Sequence, residues 1–137
     1  MDLSVVIPVF NEEANLKPLI SEIEAALSSL SKRYEIVVID DGSRDNTFAV
    51  LEEIYRVNPH LRVVKLKRNF GQTAALAAGL AHATGEIVVM LDGDGQNDPA
   101  DIPALMAKLG QGNDIVCSWR DHRRDPSLTR RLPSLIA

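Results

Sequence analysis

The chain predicts an α/β domain: an open, mainly parallel sheet with helices flanking it. Three observations predict it. Short runs rich in Val and Ile alternate with helical patterns along the 137 residues. The runs are nearly continuous in hydrophobicity, as expected of parallel strands buried on both faces. Their β-α-β-α-β-α-β-α-β order requires right-handed crossovers within one sheet.

The first run, Leu3–Val9, opens the sheet and leads into a helical stripe of Leu16, Leu19, Ile20, Ile23, Leu27 and Leu30 at i, i+3, i+4, i+7 spacing. A second strand over Glu35–Asp40 is followed by a shorter stripe of Phe48, Leu51, Ile54 and Tyr55. The third strand, Arg62–Leu66, precedes a segment of another kind, Thr73–Ala81, with small residues on nearly every side. Such a helix can lie close against a sheet. A fourth strand, Ile87–Leu91, leads to Asp98-Pro99, an N-cap followed by Pro at the first helical position. A last stripe of Ile102, Leu105, Met106 and Leu109 and a fifth strand over Asp114–Ser118 complete the alternation. All stripes read as core faces. No repeat, linker or low-complexity segment interrupts residues 1–137, which read as one domain. The helical pattern after Ser127 (Leu128, Leu132, Leu135, Ile136) stops unfinished at Ala137, so the expectation is the N-terminal part of a longer protein.

Hydrophobic content of 45% and charged content of 25% are those of a globular domain. The lone Cys117 lies in an apolar run, which excludes a disulfide framework and points to a reducing compartment. No apolar stretch approaches the ~18–20 residues of a membrane span. The net charge of −4 is unevenly placed. Residues 1–116 hold 10 Lys/Arg against 17 Asp/Glu, whereas the tail holds Arg120, Arg123, Arg124, Arg130 and Arg131 against Asp121 and Asp125. A basic tail on an acidic domain fits an anionic partner or a solvated loop equally from charge alone. Nucleic acid is not expected, since Trp119 is the one aromatic near the arginines.

Ligands of open α/β sheets bind beyond the C-terminal ends of the strands, and three strand ends here are polar. The first runs Pro8-Val9-Phe10-Asn11-Glu12-Glu13, the second Asp40-Asp41-Gly42-Ser43, and the fourth Asp92-Gly93-Asp94-Gly95-Gln96. Aspartates at i and i+2 on an extended chain point the same way. Converging carboxylates are costly without a cation, so Asp92 and Asp94 suggest a divalent-metal site holding a diphosphate. On the same reading, Gly93 and Gly95 leave room for a ligand to approach the backbone. Taken singly, each segment has a plainer explanation: Asp40-Asp41-Gly42-Ser43 as a turn before an N-cap at Asp45 or Asn46, Glu12 and Glu13 as charges at a helix N-terminus, Asp92-Gly93 as a turn. Their joint occurrence at strand ends favours a nucleotide rim.

Ser4-Val5-Val6-Ile7-Pro8-Val9-Phe10-Asn11-Glu12, Val37-Val38-Ile39-Asp40-Asp41-Gly42-Ser43 and Asp92-Gly93-Asp94 resemble the inverting nucleotide-sugar glycosyltransferases of the GT-A fold, family 2. Arg68-Asn69-Phe70-Gly71-Gln72, Gln96, Ser118-Trp119-Arg120 and Arg130-Arg131-Leu132-Pro133-Ser134 add a resemblance to the polyprenyl-phosphate sugar transferases, such as dolichyl-phosphate mannose synthase and bacterial undecaprenyl-phosphate glycosyltransferases. The resemblance implies transfer of a hexose from a UDP- or GDP-sugar to a polyprenyl phosphate, at the cytoplasmic face of a membrane. Pro8, Phe10, Glu12, Asp40, Asp41, Gly71, Gln72 and Asp92 would bind the donor. Asp92, Asp94 and Gln96 would surround Mg²⁺ or Mn²⁺. Asp94, with Arg120 and Arg130 or Arg131 on the acceptor phosphate, would carry catalysis. Gly93 and Gly95 stand where many relatives carry Ala and a larger apolar residue.

Other readings are a saccharide-hydroxyl acceptor, a truncated nucleotide-sugar-binding module without turnover, and a haloacid-dehalogenase-like phosphatase using Asp92 as nucleophile. Against the phosphatase, position 96 is Gln and some 90 residues precede the motif. A calcium loop fails at Asn97 and Pro103. A dinucleotide fold lacks G-x-G-x-x-G after its first strand. His60, His82 and His122 have no metal-ligand spacing.

Overall fold

The computed structural model describes residues 1–94 and 97–114, together with the backbone of two short strands at 118–119 and 133–134. Its elements are β1 (Leu3–Val9), α1 (Leu16–Ser28), β2 (Tyr34–Asp40), α2 (Thr47–Val57), β3 (Leu61–Lys65), α3 (Gln72–His82), β4 (Ile87–Met90), a 3₁₀ turn (Pro99–Asp101), α4 (Ile102–Leu109), β5 (Ser118–Trp119) and β6 (Pro133–Ser134). Strands β1 to β4 form one sheet in the order β3-β2-β1-β4, with every pairing parallel. The short β5 and β6 pair antiparallel to each other. The fold class expected from the sequence is therefore the observed one. The expected fifth strand falls largely on residues 115–117, outside the described residues, as does the helical pattern after Ser127.

The near-continuous hydrophobicity of β1 has the expected cause: all seven of its residues are buried. Successive strand residues face opposite sides, and each side has its own core. Val5, Ile7, Val9, Ile36 and Val38 pack with Leu16, Ile23, Leu27, Leu51 and Ile102 from α1, α2 and α4. Val6, Val37 and Ile39 pack with Ala75 of α3 on the other side. Small residues let α3 approach closely, since a Cβ on Gly79 would collide with Val6 Cγ1 and Ile39 Cδ1.

Two expectations about elements are corrected. Tyr55 does not belong to the core stripe of α2. It is 56% exposed, while Thr47 at the helix start is buried, because the helix turns its Thr47 and Leu51 edge to the sheet. β4 ends at Met90, so Asp92 to Asp94 lie in a turn and not on extended chain. The Asp98 cap is observed, its carboxylate accepting from the Ala100 amide at 3.0 Å.

The end of the sheet away from the polar strand ends is closed by a buried polar knot with no motif in the sequence. Glu35 Oε1 accepts from Ser4 Oγ (2.6 Å), the Thr84 amide (2.7 Å) and Thr84 Oγ1 (2.9 Å). Its Oε2 accepts from Arg62 at 2.9 Å, and the Gly85 amide donates to Ser4 Oγ at 2.8 Å. Burial works against the charge on Glu35, but the Ser4, Thr84 and Arg62 donors outweigh it and hold the carboxyl at about 2.

Candidate functional site

The C-terminal ends of β1, β2 and β4 and the start of α3 enclose one cleft of about 510 Å³, a size that suits a small-molecule ligand. Each wall is held mainly by hydrogen bonds between loops distant in sequence, with separations of 20 to 35 residues. Asn11, just past β1, has φ +52°, a conformation Asn tolerates better than most residues. There its amide donates to Ser43 Oγ at 2.9 Å and its side-chain oxygen accepts from the Arg44 amide at 2.8 Å. The Glu12 amide donates to Thr47 Oγ1 at 2.9 Å, and Glu12 Oε2 accepts from Asn15 Nδ2 at 2.6 Å. The loop after β1 is thereby tied to the loop after β2, which presents Pro8, Phe10 and Glu12 at the cleft.

The two aspartates after β2 have different positions. Asp40 is fully buried, its Oδ1 accepts from the Ser43 amide at 2.9 Å, and it does not line the cleft. This is the turn anticipated as the plainer explanation. Its other oxygen is buried without a hydrogen-bond partner among the described residues. Asp41 does line the cleft. Its two carboxylate oxygens accept from the Phe70 amide at 2.8 Å and the Gly71 amide at 3.0 Å. The corner they grip leads directly into α3, with Gly71 at φ +102°. Gly42 permits this approach: at φ +71°, a Cβ there would run into the Arg68 and Asn69 backbone.

The Asp92–Asp94 turn forms the opposite wall. Gln72, the first residue of α3, donates from Nε2 to Asp92 Oδ1 at 3.1 Å, and the Asp92 amide donates to Asn97 Oδ1 at 2.9 Å. Gly93 is buried, and a Cβ on it would stand 2.6 Å from Val9 Cγ1 and 3.0 Å from the Pro8 carbonyl oxygen. Its small size therefore serves the packing of the turn on β1, in addition to any space it leaves a ligand.

Of the residues singled out from sequence, Pro8, Phe10, Glu12, Asp41, Gly71, Gln72, Asp92 and Asp94 meet in this cleft. Gln96, Arg120, Arg130 and Arg131 lie outside the described residues. Val9 and Asn69 also line the cleft. Both fall within the marked segments Pro8–Glu13 and Arg68–Gln72, but neither is singled out by the sequence, because a strand's last apolar residue looks the same whether or not a ligand space begins above it. Among the described residues no three His, Cys, Asp or Glu cluster as a ready metal cage. Two oxygen-donor side chains on one cleft wall still fit Mg²⁺ or Mn²⁺, which are commonly held by one or two carboxylates with the remaining positions filled by substrate phosphate and water.

A parallel α/β sheet with an acidic cleft beyond its strand ends defines the class of protein, and comparison with known proteins narrows it. The chain belongs to glycosyl transferase family 2, whose sequence profile matches residues 4–136. It is 42% identical over 139 residues to a dodecaprenyl-phosphate galacturonate synthase of Rhizobium johnstonii, covering 100% of this chain and 41% of that protein. It is 47% identical over 135 residues to an undecaprenyl-phosphate 4-deoxy-4-formamido-L-arabinose transferase of Shewanella sediminis, covering 98% and 40%. The chain thus spans about two fifths of these relatives' length. Among solved structures it is similar to a mannosyltransferase from Pyrobaculum calidifontis in complex with GDP-Man and Mn²⁺. The TM-score is 0.66 at 30% identity, over 90% of this chain and 36% of that one. The fold is the GT-A type expected from the motifs. Family membership sets aside the phosphatase, calcium-loop and dinucleotide readings. Among the described residues no helix is long and apolar enough to cross a membrane.

Proposed function

We propose that this chain is the donor-binding part of an inverting, metal-dependent glycosyltransferase that moves a sugar from a UDP- or GDP-linked donor to a polyprenyl phosphate at the cytoplasmic face of a membrane. The observation that carries the reading is the meeting of Asp92 and Asp94 with Pro8, Phe10, Glu12 and Asp41 around one cleft. Two relatives whose names carry a prenyl phosphate support the acceptor class. A neighbour in complex with GDP-Man and Mn²⁺ supports the donor class and the metal. The relatives' names carry a galacturonate and a substituted arabinose, which supports a sugar as the transferred unit.

In this reading Pro8, Phe10 and Glu12 flank the nucleoside, and Asp41 fixes the corner at the start of α3 while facing it. Asp92, Asp94 and Gln96 hold Mg²⁺ or Mn²⁺, which when bound supplies positive charge against the diphosphate leaving group. The bond from the anomeric carbon to the diphosphate breaks as a phosphate oxygen of the acceptor bonds to that carbon from the opposite face. A phosphate monoester, with a second pKa near ~6, is already largely anionic at neutral pH. The acceptor therefore needs orientation more than a general base. Arg120 with Arg130 or Arg131 supplies that through charge-assisted hydrogen bonds.

The test is calorimetric titration of UDP, GDP and their sugars with and without Mn²⁺, on the wild type and Asp94→Asn. The expected result is tight binding of one nucleotide that requires the metal and falls at least tenfold in the variant. Metal-independent binding, or no binding of either nucleotide, would overturn the donor assignment. Transfer to a saccharide hydroxyl and not to polyprenyl phosphate would overturn the acceptor assignment.

A further inference from the structure

We propose that Gln72 is a positioning residue for Asp92, coupling the start of α3 to the acidic turn; this deepens the donor-site reading above and rests on it. The side chain of Gln72 is exposed and carries no core packing, yet its Nε2 donates to Asp92 Oδ1 at 3.1 Å across the cleft mouth. The two residues are 20 apart in sequence and belong to different elements. The donor is itself fixed. Gly71 immediately before it has φ +102°, and the amides of Phe70 and Gly71 are both held by the Asp41 carboxylate. The acceptor's backbone is fixed from the other side, where the Asp92 amide donates to Asn97 Oδ1 at 2.9 Å. A continuous path of hydrogen bonds thus runs from the end of β2 through the start of α3 to the turn after β4.

The chemistry suits orientation. A carboxamide is a neutral donor, so it restricts the rotamer of a carboxylate without cancelling the charge a cation needs. Partners that orient a metal-binding carboxylate typically matter by 10–100-fold in metal affinity. Asp41 then has two tasks, facing the ligand and setting Gln72.

Three variants and two measurements test this. Isothermal titration of UDP and GDP with and without Mn²⁺ is made on wild type, Gln72→Ala, Gln72→Asn and Gln72→Glu. The expected result is a tenfold or greater loss of the Mn²⁺-dependent gain in nucleotide affinity in the Ala and Asn variants, since Asn is one methylene too short to reach. Mn²⁺ affinity in the absence of nucleotide, titrated likewise, should fall alongside that gain, and the thermal midpoint should be unchanged. Gln72→Glu removes the amide donor but sets a second anionic oxygen beside Asp92, so its Mn²⁺-dependent gain should fall less than in Gln72→Ala. An unchanged Mn²⁺ affinity without nucleotide, or an undiminished Mn²⁺ gain, would overturn the proposal in favour of a direct ligand contact or no role. The second measurement needs no ligand: in a ¹H–¹⁵N spectrum the Gln72 side-chain amide pair should shift in Asp92→Asn. An unmoved pair would overturn the hydrogen bond itself. A shifted pair in a protein that shows no metal-dependent nucleotide binding would support the coupling while sinking the donor-site reading.

Discussion

Asp41 grips the two peptide N–H groups of Phe70 and Gly71, one with each carboxylate oxygen, at 2.8 and 3.0 Å. The loop after β2 is by this means fastened to the start of α3, and Asp41 is 4% exposed while doing so. Asn at this position can accept from only one of the two amides and turns its own N–H₂ toward the other. The two hydrogen bonds are part-buried, so losing one costs about 1 kcal/mol. Asp41→Asn is expected to lower stability by that amount and to weaken nucleotide binding together with it. Urea denaturation alongside the titrations checks this, and an unchanged midpoint would show that the grip contributes little.

The knot around Glu35 predicts a pH dependence whose sign follows from its depressed pKa. The ordinary value for this group is 4.5 and the folded-state value is about 2. The contribution to stability is therefore fully present above pH 4.5, falls as pH drops from there toward 2, and is absent below. At neutral pH it amounts to about 3 kcal/mol. Glu35→Gln should lose most of this at pH 7 and flatten the stability profile between pH 4.5 and 2. Chemical denaturation of both proteins at pH 7 and pH 3 checks it. Equal slopes with pH would mean that other carboxylates dominate acid unfolding.

These two aspects differ in how far the sequence revealed them. The four strands of the main sheet and three of the helix stripes were legible because burial on both faces leaves an apolar run, and burial on one leaves a 3.6-residue period. The cleft was legible because its residues sit at strand ends, where the sheet rule places ligands. Asp40 and Asp41 could not be told apart: they are adjacent, and which one turns inward depends on the Ser43 amide and the Phe70–Gly71 corner, both set by tertiary contacts. Tyr55 misled because a period of helical spacing near a helix end continues past the region the sheet covers. The Glu35 knot joins residues 4, 35, 62 and 84, and its one signal was a serine and a glutamate each in the second position of a neighbouring strand, which register pairs directly. Register is not known before the fold is.

Gly79 offers a prediction in which two effects oppose. Ala in place of Gly within a helix stabilises it by about 1 kcal/mol through propensity. The added methyl, however, would overlap Val6 Cγ1 and Ile39 Cδ1, two side chains with no exposure, on strands paired on both sides. Overpacking of this kind costs about 1–3 kcal/mol, and α3 relieves it only by moving off the sheet. That movement would carry Gln72, at the first position of the same helix, away from Asp92. Gly79→Ala is thus expected to destabilise by up to ~2 kcal/mol net and also to weaken the Mn²⁺-dependent part of nucleotide binding, although it lies two turns from the cleft. Ala77→Gly on the exposed side of the same helix serves as the control: it loses propensity by a similar amount but leaves the helix on the sheet. Thermal denaturation with the same titrations distinguishes them. If both variants lose stability and neither loses metal-dependent binding, the close packing of α3 matters for folding alone and does not set the site.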